Sequence, residues 1–212
     1  MDTLVLRDQL FSALHIAALK PSGYKKKGHW IARDLGALVH SFYLRASRFG
    51  DRAEAIFWID IQIFSADWHC LVFPERPYKG PSEGPSLDSR ELGAWCSPPL
   101  TTLRLSVGSD TDALLASLSK AVVQEALPFL EQRKTPEALL AKLLESSEPD
   151  RHLTIASLSR FLGQESQARE HMQLAKQNAV HDNELRFLEL RERNIWRDAV
   201  QPFAAADGFA AR

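Results

Sequence analysis

Between Leu14 and Trp58 the sequence changes its period. Before this join, Leu4, Leu6, Leu10, Phe11, Leu14, Ala17 and Ala18 follow a helical stripe, with Arg7, Asp8 and Ser12 outside it. Asp2 or Thr3 stands ready to cap that helix. After the join, apolar and polar residues alternate one by one. Pro21 and Gly23 separate the two regimes: proline disfavours helix at Lys20, and glycine supplies the turn. A helix, a turn and antiparallel strands are therefore written locally, one after another.

A short strand is predicted at 29–33 and a longer one over 37–48. In the latter, Phe42, Leu44 and Ala46 share one face, and Ser41, Tyr43, Arg45 and Ser47 share the other. Phe49-Gly50-Asp51-Arg52 reads as a hairpin turn. Residues 53–64 make the clearest strand, in which Ala55, Phe57, Ile59, Ile61 and Ile63 alternate with Glu54, Ile56, Trp58, Asp60 and Gln62. Such a sheet hides one face under helices and leaves the other at least partly open. Residues 74–99 collect prolines and glycines and read as one long irregular segment, with a short helical turn near 90–95. A further strand is predicted at 102–107, ended by Gly108.

From Asp110 onward the pattern is helical. Asp110 or Thr111 caps a helix whose run is interrupted by Pro128, expected to kink or end it. Thr135 with Pro136 and Glu137 starts another helix. Pro149-Asp150 opens a third, Gly163 closes it, and 164–178 and 183–200 supply two more. The expected fold is α+β: an N-terminal helix on a small antiparallel sheet over 1–134, followed by an all-helical part over 135–212 packed on it.

The segment Leu19-Lys20-Pro21-Ser22-Gly23-Tyr24-Lys25-Lys26-Lys27-Gly28 resembles the opening of a bacterial family catalogued as domain of unknown function 4304. Arg90-Glu91-Leu92-Gly93-Ala94-Trp95 resembles that family's Leu-Gly segment before a tryptophan, and Ala126-Leu127-Pro128-Phe129-Leu130 its Leu-Pro-Phe-Leu helix close. The resemblance spans about residues 4–145. Leu44-Arg45-Ala46-Ser47 departs from the Gln-Lys-Ser common in the family's second strand. The resemblance implies the helix-then-sheet fold and no particular chemistry. Residues 152–178 separately resemble one helix pair of a tetratricopeptide-type hairpin, although a packed helical hairpin explains the same pattern.

Net charge is −1 in 212 residues, which offers no electrostatic case for nucleic acid or an anionic membrane. No window approaches an uninterrupted apolar span, and the N-terminus lacks a secretory pattern, so a cytoplasmic location is expected. Cys70 and Cys96 then read as free thiols. His69, Cys70 and Cys96, even with His29 or His40, lack metal-site spacing, and no metal or cofactor is expected. Nucleophile-elbow, phosphate-loop, dinucleotide and kinase patterns are all missing, which leans away from an enzyme and leaves no catalytic residue to name. The lysine run Lys25–Lys27 reads as a solvated turn that guards a sheet edge.

What remains is the open sheet face, where Tyr43 and Arg45 lie beside Trp58, Asp60 and Gln62. Trp, Tyr and Arg anchor protein interfaces more often than other residues, so this row is the candidate surface for a protein partner. Arg45 and Asp60 equally suit a plain cross-strand ion pair, worth only about 0–1 kcal/mol when exposed. An alternative places a small-ligand or enzyme pocket between the sheet and residues 74–99, with Asp60, His69, Arg76 and Arg90 as its polar groups. A third reading is a homodimer through the sheet edge or the C-terminal helices.

Overall fold

A computed structural model describes residues 2–80, 84–146 and 148–197. In chain order the elements are helix α1 (Thr3–Leu14), strands β1 (Lys25–Lys27), β2 (Trp30–Asp34), β3 (Val39–Ala46) and β4 (Glu54–Phe64), helix α2 (Ala66–Val72), and strands β5 (Asp88–Glu91) and β6 (Leu103–Ser106). Helices α3 (Thr111–Ala121), α4 (Leu127–Glu131), α5 (Pro136–Leu144), α6 (His152–Phe161), α7 (Glu165–Gln177) and α8 (Asp182–Ile195) complete the fold. The architecture is α+β with an antiparallel sheet, as the alternation requires. The part of the last expected helix at 198–200 lies outside the described residues.

The chain groups into two units, one of residues 1–34, 39–63 and 88–131, the other of 35–38, 64–87 and 132–212. The first unit holds the sheet, ordered β1-β2-β3-β4-β5, with β6 also pairing β4. Phe57, Ile59, Ile61 and Ile63 are all fully buried, so the alternate residues of β4 point inward together. Phe42 and Leu44 of β3, and Leu103 and Leu105 of β6, join them in the core. Each such side chain contributes roughly 1.5–3 kcal/mol of gross burial energy. Helix α1 supplies Leu10, Phe11 and Leu14 and packs against α3 and β6. Asp2 caps it by accepting from the Leu4 N–H, and the buried Thr3 hydroxyl ties it to the Asp51 carbonyl in the β3–β4 turn.

Both long helices of this unit relax into a π-helical turn just ahead of a proline. His15–Leu19 precedes Pro21, and Val122–Ala126 precedes Pro128. Proline lacks an N–H and its ring crowds the carbonyl four residues back. Here those carbonyls belong to Ala17 and Gln124, each inside a widened turn. The Lys20 N–H reaches His15 O and the Leu127 N–H reaches Val122 O, five residues back in each case. Pro128 therefore does not end the helix, which continues to Glu131. Residues 111–131 are long and apolar enough to cross a bilayer by length and composition alone, but Leu118, Ala121, Val122, Ala126 and Leu130 are buried.

The lysine run departs from its expected role as a turn. Lys25–Lys27 forms edge strand β1, paired with Trp30–Ala32 of β2. Residues 74–99 are also less irregular than expected. Asp88–Glu91 pairs with Asp60–Ile63 as β5, so part of the supposed loop belongs to the sheet itself, while Leu92–Trp95 forms a 3-10 turn where a short helical turn was expected. Gly93 permits this: a Cβ there would lie 2.2 Å from the Leu100 carbonyl oxygen. The Gly93 carbonyl in turn accepts from the N–H groups of Cys96 and Leu100 at 3.1 and 2.8 Å.

In the second unit, the short helix α2 was missed by periodicity because seven residues make barely two turns. Ser65 caps it through the Trp68 N–H. Trp68 donates its indole N–H to Ser157 of α6 at 2.7 Å. At the other end of α2, the Val72 carbonyl accepts from Arg191 and Asn194 of α8 at 2.9 and 3.1 Å, satisfying a group that a helix end leaves bare. Arg191 is buried over the Phe73 and Phe187 rings and pairs with Glu75. Helices α6 and α7 form a packed hairpin around Ala168 and Met172.

Gly93→Ala should cost about 1–3 kcal/mol or more, because the backbone must shift to admit the methyl group; urea unfolding measures this, and an unchanged midpoint would contradict the close approach. Asp51 makes a second prediction. Its carboxylate accepts from the Glu54 and Ala53 N–H groups, which hold it below its ordinary range. A depressed carboxyl stabilises above its unfolded pKa of about 3.9 and ceases to do so as pH falls through the folded value. Stability of Asp51→Asn should therefore decline less than wild type below about pH 4, as measured by pH-dependent thermal melts.

Candidate functional site

Strand parity defines the face opposite the core. The β1–β2 and β2–β3 registers align Lys27, Trp30 and Tyr43 in one cross-strand row. Trp30 and Tyr43 stack with ring centroids 4.2 Å apart and planes 18° from parallel. Both are only partly buried. Such a pair is worth about 0.5–1.5 kcal/mol beyond area burial, so it also stiffens the β2–β3 hairpin.

Beside this row lies Arg45. Its Nε donates to Asp60 Oδ2 at 2.7 Å and its Nη2 to Asp60 Oδ1 at 3.1 Å, a bidentate fork. Nη2 also donates to Glu91 Oε1 at 2.8 Å. The guanidinium sits 4.5 Å from the Trp58 ring centre. The hydrogen bond to Asp60 and the two carboxylate charges together raise the Arg45 pKa against the opposing effect of burial. The Trp58 indole N–H donates to the Thr101 carbonyl at 3.1 Å, which fixes the ring's tilt.

The structure brings Tyr43, Arg45, Trp58 and Asp60 onto this one face, together with Trp30 and Glu91, which sequence reasoning had not included. Gln62 shares the face, but among the described residues its Oε1 is buried without a hydrogen-bond partner, as is Ser41 Oγ. Ala32 and Ser41 are buried too. The accessible part of the face around Arg45 thus comprises Lys27, Trp30, Tyr43, Arg45, Trp58 and Glu91. Trp30 was missed because its neighbour Tyr43 is decided by the hairpin register. Glu91 was missed because its strand follows a proline-rich stretch.

The alternative polar set divides between the two units. Asp60 is committed to Arg45, and Arg90 of β5 donates to the Ser89 carbonyl at 3.2 Å and lies 3.9 Å from Asp88. In the second unit, His69 donates from Nε2 to the Arg76 carbonyl at 2.9 Å and packs beside Phe73 and Tyr78. Among the described residues its Nδ1 is buried without a hydrogen-bond partner. Cys70 and Cys96 are free thiols whose pKa values burial pushes up, the reverse of what a reactive nucleophile needs.

Residues 15–132 match the family described as Domain of unknown function (DUF4304). The chain belongs to this family. Neither a curated protein nor a solved structure gives a significant match. The residues that carry the DUF4304 resemblance hold the first unit together. Leu19 is buried, Gly23 adopts φ +83°, and Tyr24 is buried edge-on to Phe42 with centroids 5.6 Å apart. Burial raises the Tyr24 pKa well above its ordinary value, with Arg33 opposing and Glu131 adding to the effect. Leu92 and Leu130 are core residues, and Trp95 packs on Phe129 at 5.3 Å.

Within the Arg45 network the two carboxylates are unequal: the Asp60 side chain is 13% exposed and Glu91 44%. Asp60→Ala should cost about 1–2 kcal/mol and Glu91→Ala no more than about 0.5 kcal/mol in urea unfolding. Equal losses would refute this ranking.

Proposed function

We propose that this protein is a protein-binding module whose contact surface is the row Lys27, Trp30 and Tyr43 together with the adjacent Arg45 and Trp58. The observation that carries the reading is the Trp30–Tyr43 stack, held rigid across two strands yet left partly exposed. A rigid aromatic platform gives up little conformational freedom on binding. The platform has a polarity. Exposed lysines of β1 border it on one side, and Arg45 with its two carboxylates borders it on the other.

A partner segment complementary to this surface lays an aromatic or long aliphatic side chain on the stack and directs a carboxylate toward Lys27. Phosphate backbones suit the face less well, because Asp60 and Glu91 line it and Glu54 stands on the same side of β4, paired with Arg104. The module's role is recognition, with Arg45 pre-organised by its neighbours to hold the contact surface in register.

Selection of short random peptides displayed against the full chain tests this. Enriched sequences should pair an aromatic or long apolar residue with Asp or Glu. Their capture should fall about tenfold or more in Tyr43→Ala and in Lys27→Glu, while both variants stay folded and Tyr43→Ala melts only a few degrees lower for its lost stack. Enrichment that survives both substitutions, or enrichment of basic peptides, would overturn the proposal. Preferential binding of single-stranded RNA to wild type would assign the stack to bases instead.

A further inference from the structure

In the second unit His152 opens α6, and His171 faces it from α7. Their Nδ1 atoms lie 3.0 Å apart, with ring centroids at 5.1 Å and planes at 51°. Both rings are half-buried. Two neutral imidazoles in this arrangement hold one proton between them, one Nδ1 donating and the other accepting. Burial, and then the proximity of His152, hold His171 below its ordinary range, with Glu170 opposing.

Two nitrogens that close also have the spacing of a chelate. Donors about 2.1 Å from one ion and about 90° apart at that ion lie about 3.0 Å from each other, whereas a tetrahedral angle needs about 3.4 Å. Cis positions at a right angle belong to tetragonal ions, Cu(II) above all. We propose that His152 and His171 form a two-imidazole site for a cupric ion that ties α6 to α7. Coordination through both Nδ1 atoms requires the shared proton to move to the free Nε2 of its ring through water, so both ligands stay neutral and no net proton is released. Among the described residues no group of three His, Cys, Asp or Glu converges, so water completes the coordination. The charges nearest in the chain are Arg151, itself paired with Glu148, and Glu170.

Calorimetric titration of the tag-free full chain with copper(II) chloride tests the site. One equivalent should bind, and affinity should fall about tenfold or more in His152→Gln and in His171→Gln separately. Copper should raise the melting temperature of wild type and of neither variant. Should a variant fail to fold, imidazole resonances of the wild type decide: substoichiometric copper should broaden His152 and His171 first. Equal affinity in wild type and both folded variants, or broadening of other histidines first, overturns the site.

Discussion

The eleven residues of β4 obey one rule, that neighbouring side chains leave a strand on opposite faces, and much of the first unit follows from it. Burying Phe57, Ile59, Ile61 and Ile63 forces Trp58, Asp60 and Gln62 to the other side. A slip of one residue would expose four large apolar side chains and turn the Asp60 carboxylate into the apolar core away from Arg45, a penalty of many kcal/mol. The register is therefore held by the core, and the candidate surface is its by-product. Arg45 then has only one side on which to stand, and the carboxylates of Asp60 and Glu91 meet it there.

The residues that carry the family resemblance serve that same frame. Gly23 and Gly93 occupy places a side chain would strain or clash, by positive φ in one case and by the Leu100 carbonyl in the other. Tyr24, Leu92, Trp95 and Leu130 fill or border the core. These motifs identify a fold without identifying a chemistry. The opposite face of the sheet carries Arg45, in the segment Leu44-Arg45-Ala46-Ser47.

Proline was legible as punctuation but not as geometry. Pro21 and Pro128 each follow a π-turn by two residues, and the two turns pack on one another. From the sequence, Pro128 reads as an interruption; in the fold, one widened turn makes room for its ring and the helix runs on. The cost of a proline depends on whether the preceding turn can open, and that is set by what packs against it.

Alternation in 53–64, a helix cap at Asp2 or Thr3, another at Asp110 or Thr111, the Thr135 cap, the glycine stops and the α+β order were determined by the sequence alone, because each depends on neighbours within a turn or on a period of two. Tertiary structure alone decided that Lys25–Lys27 and Asp88–Glu91 are strands, that α2 exists and is capped by Arg191 and Asn194, and that Trp30 stacks on Tyr43. Short segments such as these carry too few residues to specify themselves. They take their form from partners distant in the chain, such as the Val72 carbonyl 119 residues from Arg191, and no local pattern records those partners.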